Sequence, residues 1–143
     1  MKAFLDTSVL VATFYADHVH HSPSIDLFLR HGKEQSCCSA HSVAEVYATL
    51  TAMPGQRRVS GHEALLFLSD IRQHLTIIPL DEHEYFQLAE TCSDAGLSGG
   101  AIYDAIIGQC ALKANARALY TWNTRDFLRL PSTIAALVRT PEK

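Results

Sequence analysis

The sequence has no excess of basic residues, because its 12 lysines and arginines are outnumbered by 15 aspartates and glutamates, which gives a formal net charge of -3. A protein that coats nucleic acid through charge alone is more basic than this. The balance of charge therefore argues against a purely electrostatic nucleic-acid binder. It does not argue against an enzyme that needs an acidic centre.

The chain also lacks a Cys-x-x-Cys pair and a long apolar run. All four of its cysteines lie in apolar segments, at Cys37, Cys38, Cys92 and Cys110. We interpret them as reduced core residues rather than as disulfides or a zinc site. No stretch of the sequence is typical of a signal peptide or a membrane helix, so we expect a cytoplasmic protein with no membrane contact.

The length and the hydrophobic pattern predict one α/β domain over residues 1–143, of which 48% are hydrophobic. Short apolar runs at 2–6, 35–39, 75–79 and 118–121 alternate with segments of helical periodicity. This alternation predicts an α/β sandwich with a mainly parallel sheet. We expect the first helix to begin at Val9 with Thr7 or Ser8 as its cap. The stretch 135–139 predicts either a last edge strand or a helical turn.

Three acidic residues are isolated in apolar surroundings. Asp6 is the only formal charge between residues 2 and 17, Glu45 the only one between 34 and 57, and Asp104 the only one between 94 and 113. An ionised carboxylate is costly to bury without a partner. These acids therefore either pair with distant basic residues or converge on a cation.

The order of strands and acids favours the cation. Asp6 follows the first strand, and Asp126 follows the strand at 118–121. Ligand sites in open parallel sheets form at the carboxyl ends of the strands. If these two acids meet Glu45 and Asp104 there, their mutual repulsion favours a hard divalent ion, and all-oxygen ligands indicate Mg²⁺ or Mn²⁺. Such an ion would generate a hydroxide nucleophile and neutralise phosphoryl oxygens.

Three of the four acids also have a simpler interpretation. Asp6 can cap the helix that follows it. Asp126 has an arginine on either side, so it can form an exposed ion pair or a cap. His41 and Glu45 are four residues apart, and a helical hydrogen bond or an exposed His41 is an alternative to a shared metal.

Two basic or histidine-rich clusters carry weaker signals. His18, His20 and His21 precede an ordinary helix start, and we do not assign them to a metal site. Arg57 and Arg58 form the densest positive charge in the chain. These two arginines are a candidate contact for a polyanion. The alternative is that they lie in a loop that is exposed to solvent and binds nothing.

Four segments, in order along nearly the whole chain, carry a family resemblance: Phe-Leu-Asp-Thr-Ser-Val-Leu at 4–10, Ser-Val-Ala-Glu-Val at 42–46, Tyr-Asp-Ala-Ile-Ile at 103–107 and Leu-Tyr-Thr-Trp-Asn-Thr-Arg-Asp-Phe at 119–127. Together they resemble the PIN domain, and most closely the VapC toxins of bacterial toxin–antitoxin pairs. The resemblance implies a three-layer α/β/α domain with a Mg²⁺- or Mn²⁺-dependent endoribonuclease site. It also implies a homodimer and an antitoxin partner that blocks the groove.

The resemblance assigns roles to individual residues. It implies four acidic metal ligands: Asp6, Glu45, Asp104 and Asp126. It implies supporting polar groups: Thr7, which could bind a metal-bound water, and Thr121 and Asn123, which we expect to support Asp126. Arginines at the rim are the candidate RNA contacts: Arg57, Arg58 and Arg125.

The resulting hypothesis is metal-assisted hydrolysis of an RNA phosphodiester. Asp6 and Asp104 would bind the metal directly, and Glu45 would bind it or orient the attacking water.

Two other classes of protein function stay open. A phosphoryl-accepting signalling domain would need a lysine at a late strand end, and residues 121–123 contain none. A binding module would act with an antitoxin at an operator, and a PIN nuclease without a toxin role is a variant of the main hypothesis.

Overall fold

A five-stranded parallel sheet is the centre of the computed structural model, which describes residues 3–142. Its strands are β1 (Ala3–Leu5), β2 (Ser36–Ser39), β3 (Thr76–Ile78), β4 (Ala118–Tyr120) and β5 (Val138–Arg139). Their spatial order is β3-β2-β1-β4-β5, and every pair of neighbours is parallel. The predicted parallel sheet is therefore confirmed. Lys2, with which the first strand was predicted to begin, lies outside the described residues.

Helices cover both faces of this sheet. In chain order they are α1 (Thr7–Phe14), α2 (His21–Arg30), α3 (Ala40–Thr51), α4 (Gly61–His74), α5 (Glu82–Asp94), α6 (Ala101–Lys113), α7 (Thr124–Leu128) and α8 (Ser132–Ala135), with a 3-10 turn at Gly55–Arg57. Side chains alternate along β1, so that Phe4 packs with α5, α6 and α7, whereas Ala3 and Leu5 pack with α1, α2, α3 and α4. The two cores make the fold the expected α/β/α sandwich.

The start of α1 differs from the prediction. The helix begins at Thr7 and not at Val9, and its N-cap is Asp6, which is the simpler interpretation that we gave for this acid. The Asp6 carboxylate accepts a hydrogen bond from the Ser8 amide at 3.4 Å. Asp, Thr and Ser are all good N-caps, so three in succession leave the start of a helix ambiguous in the sequence. The N-cap of α3 is Ser39, whose side chain accepts from the Ser42 amide at 3.0 Å.

Of the two elements that the sequence left open for residues 135–139, the edge strand is present, and a short helix comes just before it. Residues 132–135 form α8, and Val138–Arg139 form β5 at the edge of the sheet beside β4.

The four cysteines are free and buried, as predicted for core residues. Over residues 3–142, no helix has both the length and the apolar character needed to span a membrane.

The contact between α6 and α8 gives a test of the packing. A Cβ atom added at Gly108 would lie 2.7 Å from Cγ2 and 2.9 Å from Cδ1 of the buried Ile134 side chain. Overpacking of this kind costs about 1–3 kcal/mol, whereas alanine adds roughly 1 kcal/mol in helix propensity, so we expect Gly108→Ala to lower the free energy of unfolding by up to about 2 kcal/mol. Urea denaturation measures the difference.

The matched control is the same substitution in an Ile134→Ala background. There the clash is absent, so Gly108→Ala should be neutral or stabilising, and the double-mutant cycle should give a clear coupling energy. An equal cost in both backgrounds would mean that something other than Ile134 requires the glycine.

Candidate active site

Three of the four predicted acids lie around one pocket of about 480 Å³ at the carboxyl edge of the sheet. Asp6 follows β1, whereas Glu45 comes from α3 and Asp104 from α6. The pocket is also lined by Asn123, which follows β4. Asp126 is outside the set that lines the pocket, but it lies nearby, because Arg129 contacts both the Asp126 carbonyl and the Asp104 carboxylate.

Asp6 is the most deeply buried of these acids, with 2% of its surface exposed. Its Oδ2 accepts hydrogen bonds from Thr121 Oγ1 at 2.7 Å and from Ser8 Oγ at 2.8 Å. Burial raises the pKa of Asp6, and these hydrogen bonds lower it in part. Among the ion pairs formed by residues 3–142, none involves Asp6. Its charge is therefore solvated by hydroxyl groups and not by a cationic side chain.

These hydroxyl groups also connect β1 to β4. Thr121 Oγ1 accepts from the Asn123 amide at 2.9 Å, and Ser8 Oγ accepts from the Trp122 amide at 3.0 Å. We expected Thr121 to support Asp126, and that prediction is wrong about the partner, because the hydroxyl donates to Asp6 instead. Ser8 was considered only as a helix cap, since nothing in the local sequence indicates a contact with a strand more than a hundred residues away.

Glu45 is held by a different hydroxyl group. Thr7 Oγ1 donates to Glu45 Oε1 at 2.8 Å and is also 2.9 Å from Ser42 Oγ. His41 Nε2 is 3.7 Å from the same carboxylate oxygen, and the His41 ring stacks on Tyr103. His41 and Glu45 are thus in contact within α3, at a distance too long for the hydrogen bond that was one alternative to a shared metal.

Asp104 lies in the first turn of α6 and is half-buried. Burial, together with the negative charges of Asp6 and Asp126, raises the pKa of Asp104 to about 6, although Arg129 acts in the opposite direction. Arg129 Nη2 is 3.4 Å from Asp104 Oδ2, and its Nε donates to the backbone carbonyl of Asp126 at 3.2 Å. The ion pair that we considered for Asp126 is therefore formed with Asp104. Helix α7 begins at Thr124, two residues before Asp126.

The donor set of the pocket fits a hard cation in its chemistry. On the side of the acids, the lining groups are carboxylates, hydroxyls and the Asn123 amide, all of which present oxygen ligands. Burial is the main cause of the raised pKa values of Asp6 and Asp104, and the negative charges of Asp6 and Asp126 add to it at Asp104. Within residues 3–142, no three His, Cys, Asp or Glu side chains are grouped closely enough to hold an ion as they stand. Asp6, Asp104 and Glu45 are nevertheless the residues that could hold one.

Sequence reasoning missed the other side of the pocket. His18, His20 and Trp122 line it, and the rings of His20 and Trp122 stack with centroids 3.7 Å apart. The histidine cluster was visible in the sequence, but its partner Trp122 is about a hundred residues away.

The arginines that we predicted as RNA contacts lie outside the pocket lining. Arg57 lies above the Tyr15 ring, Arg58 donates through Nε to the Met53 carbonyl, and Arg125 is exposed on α7.

Known proteins share both the sequence and the fold. The PIN domain family matches residues 3–132. Ribonuclease VapC40 of Mycobacterium tuberculosis is 34% identical over 121 residues, which are 85% of this chain and 84% of that protein. The crystal structure of Mycobacterium tuberculosis VapC20, a Sarcin-Ricin loop cleaving toxin, has a TM-score of 0.69 at 18% identity and covers 87% of this chain and 92% of that one. VapBC2 from Rickettsia felis, bound to a DNA fragment from its promoter, has a TM-score of 0.68 at 19% identity, with 99% and 100% covered.

The pKa of Asp104 gives a test in the metal-free protein. Because its pKa is about 6 when folded and 3.8 in the unfolded reference, the charge destabilises the fold progressively as the pH rises through 6. We expect Asp104→Asn to raise the melting temperature in EDTA by about 3 °C at about pH 8, or about 1 kcal/mol after discounting for partial exposure, with little change at about pH 4.

Asp26→Asn, at an exposed position on α2, changes the net charge equally and serves as the control. Circular dichroism melts of both variants and the parent at the two pH values provide the comparison. A lower melting temperature of Asp104→Asn at the higher pH would show that the carboxylate and its contact with Arg129 stabilise the fold instead.

Proposed function

The chain belongs to the PIN domain family, and from that premise we propose that it is a metal-dependent endoribonuclease and the toxin of a toxin–antitoxin pair. The observation that carries the proposal is the convergence of Asp6, Glu45 and Asp104 on one pocket from three separate elements. The similarity to a protein named as a ribonuclease, over most of both chains, supports the same activity.

In the proposed reaction, Asp6 and Asp104 would hold Mg²⁺ or Mn²⁺, and Glu45 would bind the ion or orient the attacking water. When bound, the ion would activate water at neutral pH and neutralise the charge on the phosphoryl oxygens. Asp126 completes the acidic set through its proximity to Asp104. The raised pKa values of Asp6 and Asp104 support this assignment, because a cation would favour their charged forms.

The hydroxyl groups position these acids. Ser8 and Thr121 fix Oδ2 of Asp6, which sets the direction of the carboxylate. Thr7 fixes Glu45 in the same way. Outer residues that orient metal ligands in this manner contribute strongly to metal affinity and activity. Asn123 lines the pocket beside Asp6, and its amide oxygen is available to a ligand on that side.

The structural similarity to a known complex is the basis for the partners that we propose. One structural neighbour is a VapBC2 assembly, and we propose that this chain also forms a complex with an antitoxin, as a homodimer in the cytoplasm. The same neighbour is bound to a DNA fragment from its promoter. A second candidate function is therefore binding at an operator together with the antitoxin, in which this chain contributes no cleavage.

RNA cleavage tests the central proposal. Purified protein, free of antitoxin, should cut a mixed RNA pool in the presence of Mn²⁺ or Mg²⁺ and should be inactive in EDTA. Asp6→Asn and Asp104→Asn should each lose at least about a hundred-fold in rate, because each removes a proposed metal ligand. Gel analysis of labelled RNA gives the rates.

Asp26→Asn is again the control for the change in charge and should cut like the parent. The circular dichroism spectra of all variants establish that they are folded. Cleavage that persists in EDTA or in both pocket variants would place the activity elsewhere, and folded protein that cuts no RNA would favour the operator-binding role.

Thr121 gives a separate test of positioning. Thr121→Val keeps the shape of the side chain but removes the donor to Asp6, so the pKa of Asp6 should rise further and metal should bind less well. We expect about a ten-fold loss of activity that is larger at lower pH and is relieved by excess Mn²⁺. Thr121→Ser retains the hydroxyl and should recover most of the activity. A pH-independent loss in both variants would indicate a packing role only.

A further inference from the structure

A row of rings leads from the Arg57 loop to the acidic pocket. Arg57 Cζ lies 6.0 Å from the Tyr15 ring centroid, and Tyr15 meets the His18 ring edge-on at 6.4 Å. His18 and His20 are 5.7 Å apart, and His20 stacks on Trp122 at 3.7 Å with 7° between the planes. We call Tyr15, His18, His20 and Trp122 the ring row. Three of its members come from the α1–α2 connection, and Trp122 is the second residue after β4.

Hydrogen bonds hold the ring row in place. Trp122 Nε1 donates to Ser24 Oγ at 2.8 Å, and the Trp122 amide donates to Ser8 Oγ at 3.0 Å. The His20 amide donates to His18 Nδ1 at 3.0 Å. Because these rings are already ordered, a ligand that binds to them does not have to order them first.

The ring row is accessible as well as ordered. Its four side chains are only partly buried. His18, His20 and Trp122 line the same pocket as Asp6 and Asp104. A ligand in contact with these rings would thus lie next to the acids. Rings that served only to fill the core would be expected to be as buried as Phe4 or Phe127, which are fully covered.

The chemistry of the row favours flat, neutral groups over charged ones. Burial, together with the neighbouring His20 and His21, lowers the pKa of His18. Its Nδ1 accepts a hydrogen bond, so the neutral ring has its proton on Nε2. At the far end, Asp17 and Glu63 line the same depression as Arg57 and Arg58 and balance their charge. Ring stacking, and not attraction to phosphate, is the main interaction that this surface offers.

We propose that the ring row binds the bases of a single-stranded RNA segment beside the acidic pocket, with His20 and Tyr15 as stacking surfaces. The inference rests on the proposed function for the identity of the ligand as RNA. Every base has a flat face, and stacking on an aromatic side chain strengthens binding by about five- to a hundred-fold per base. In a duplex the base faces are already stacked, so paired RNA should not use the row.

The chain contains a single tryptophan, Trp122, so its fluorescence reports directly on this surface. We would titrate the Asp104→Asn protein in EDTA with a labelled oligouridine of about ten nucleotides and with a duplex of equal length. Anisotropy gives Kd, and the change in Trp122 emission locates the contact. The single strand should bind and alter the emission, whereas the duplex should leave the emission unchanged.

Substitutions separate stacking from packing. His20→Ala should weaken oligouridine binding about ten-fold, whereas His20→Phe, which keeps a flat ring, should bind within about two-fold of the parent. Tyr15→Leu and Tyr15→Phe form a second pair with the same expectation, in case His20→Ala disturbs the fold. His83→Ala, at an exposed position on α5, is the control. Unchanged Kd values for both His20→Ala and Tyr15→Leu would overturn the inference.

Cleavage assays distinguish this failure from a failure of the proposed function. If the protein with Asp104 intact cuts RNA, His20→Ala should raise KM about ten-fold and account in this way for most of the loss in kcat/KM. Cleavage with an unchanged KM in the His20 and Tyr15 variants would support the nuclease and would show that the ring row does not bind its substrate. Oligouridine binding that depends on His20, in a protein that cuts no RNA, would support the ring row and contradict the nuclease.

Discussion

The burial of the Asp6 carboxylate is the constraint on which the rest of the site depends. Asp6 follows the central strand of the sheet, where its amide donates to the Tyr120 carbonyl at 2.9 Å and only 2% of its surface is exposed. A charge in this position must be solvated by the protein. The parallel register aligns Leu5 with Tyr120, so the residue that follows each is brought to the same edge and Thr121 can donate to Asp6. The pairing of β1 with β4 therefore also places the hydroxyl group that solvates the Asp6 carboxylate.

The fold could be predicted from the sequence because its signals are local. Four short apolar runs, separated by segments of helical periodicity, were enough to predict an α/β sandwich with a mainly parallel sheet, and the family resemblance added the helices on both faces. The ends of elements were less predictable. Asp6, Thr7 and Ser8 can each cap a helix, and only the contact with β4 selects Asp6. The last segment contains a helical turn and a two-residue strand, which is too short to leave a periodic pattern.

The candidate site was predictable in its acids but not in their partners. Three acids could be identified because each is the only charge in an apolar segment: Asp6, Glu45 and Asp104. Their long-range hydrogen-bond partners lie 115, 38 and 25 residues away in the sequence, respectively. Sequence proximity even misleads here, since Arg129 is close to Asp126 in the chain but pairs with the carboxylate of Asp104. The stack of His20 on Trp122 was missed for the same reason, because neither residue indicates the other until β1 and β4 are adjacent.

The pocket thus presents two chemically different sides to one substrate. The acids and hydroxyls on one side provide oxygen ligands, and the rings of His18, His20 and Trp122 on the other provide flat surfaces. In the proposed function, a cation held by the acids would meet the phosphate and the rings would meet the bases. Contacts of this kind release few counterions compared with a groove of lysines and arginines. A net charge of -3 is therefore compatible with binding a polyanion, because neither side of the pocket depends on a basic surface.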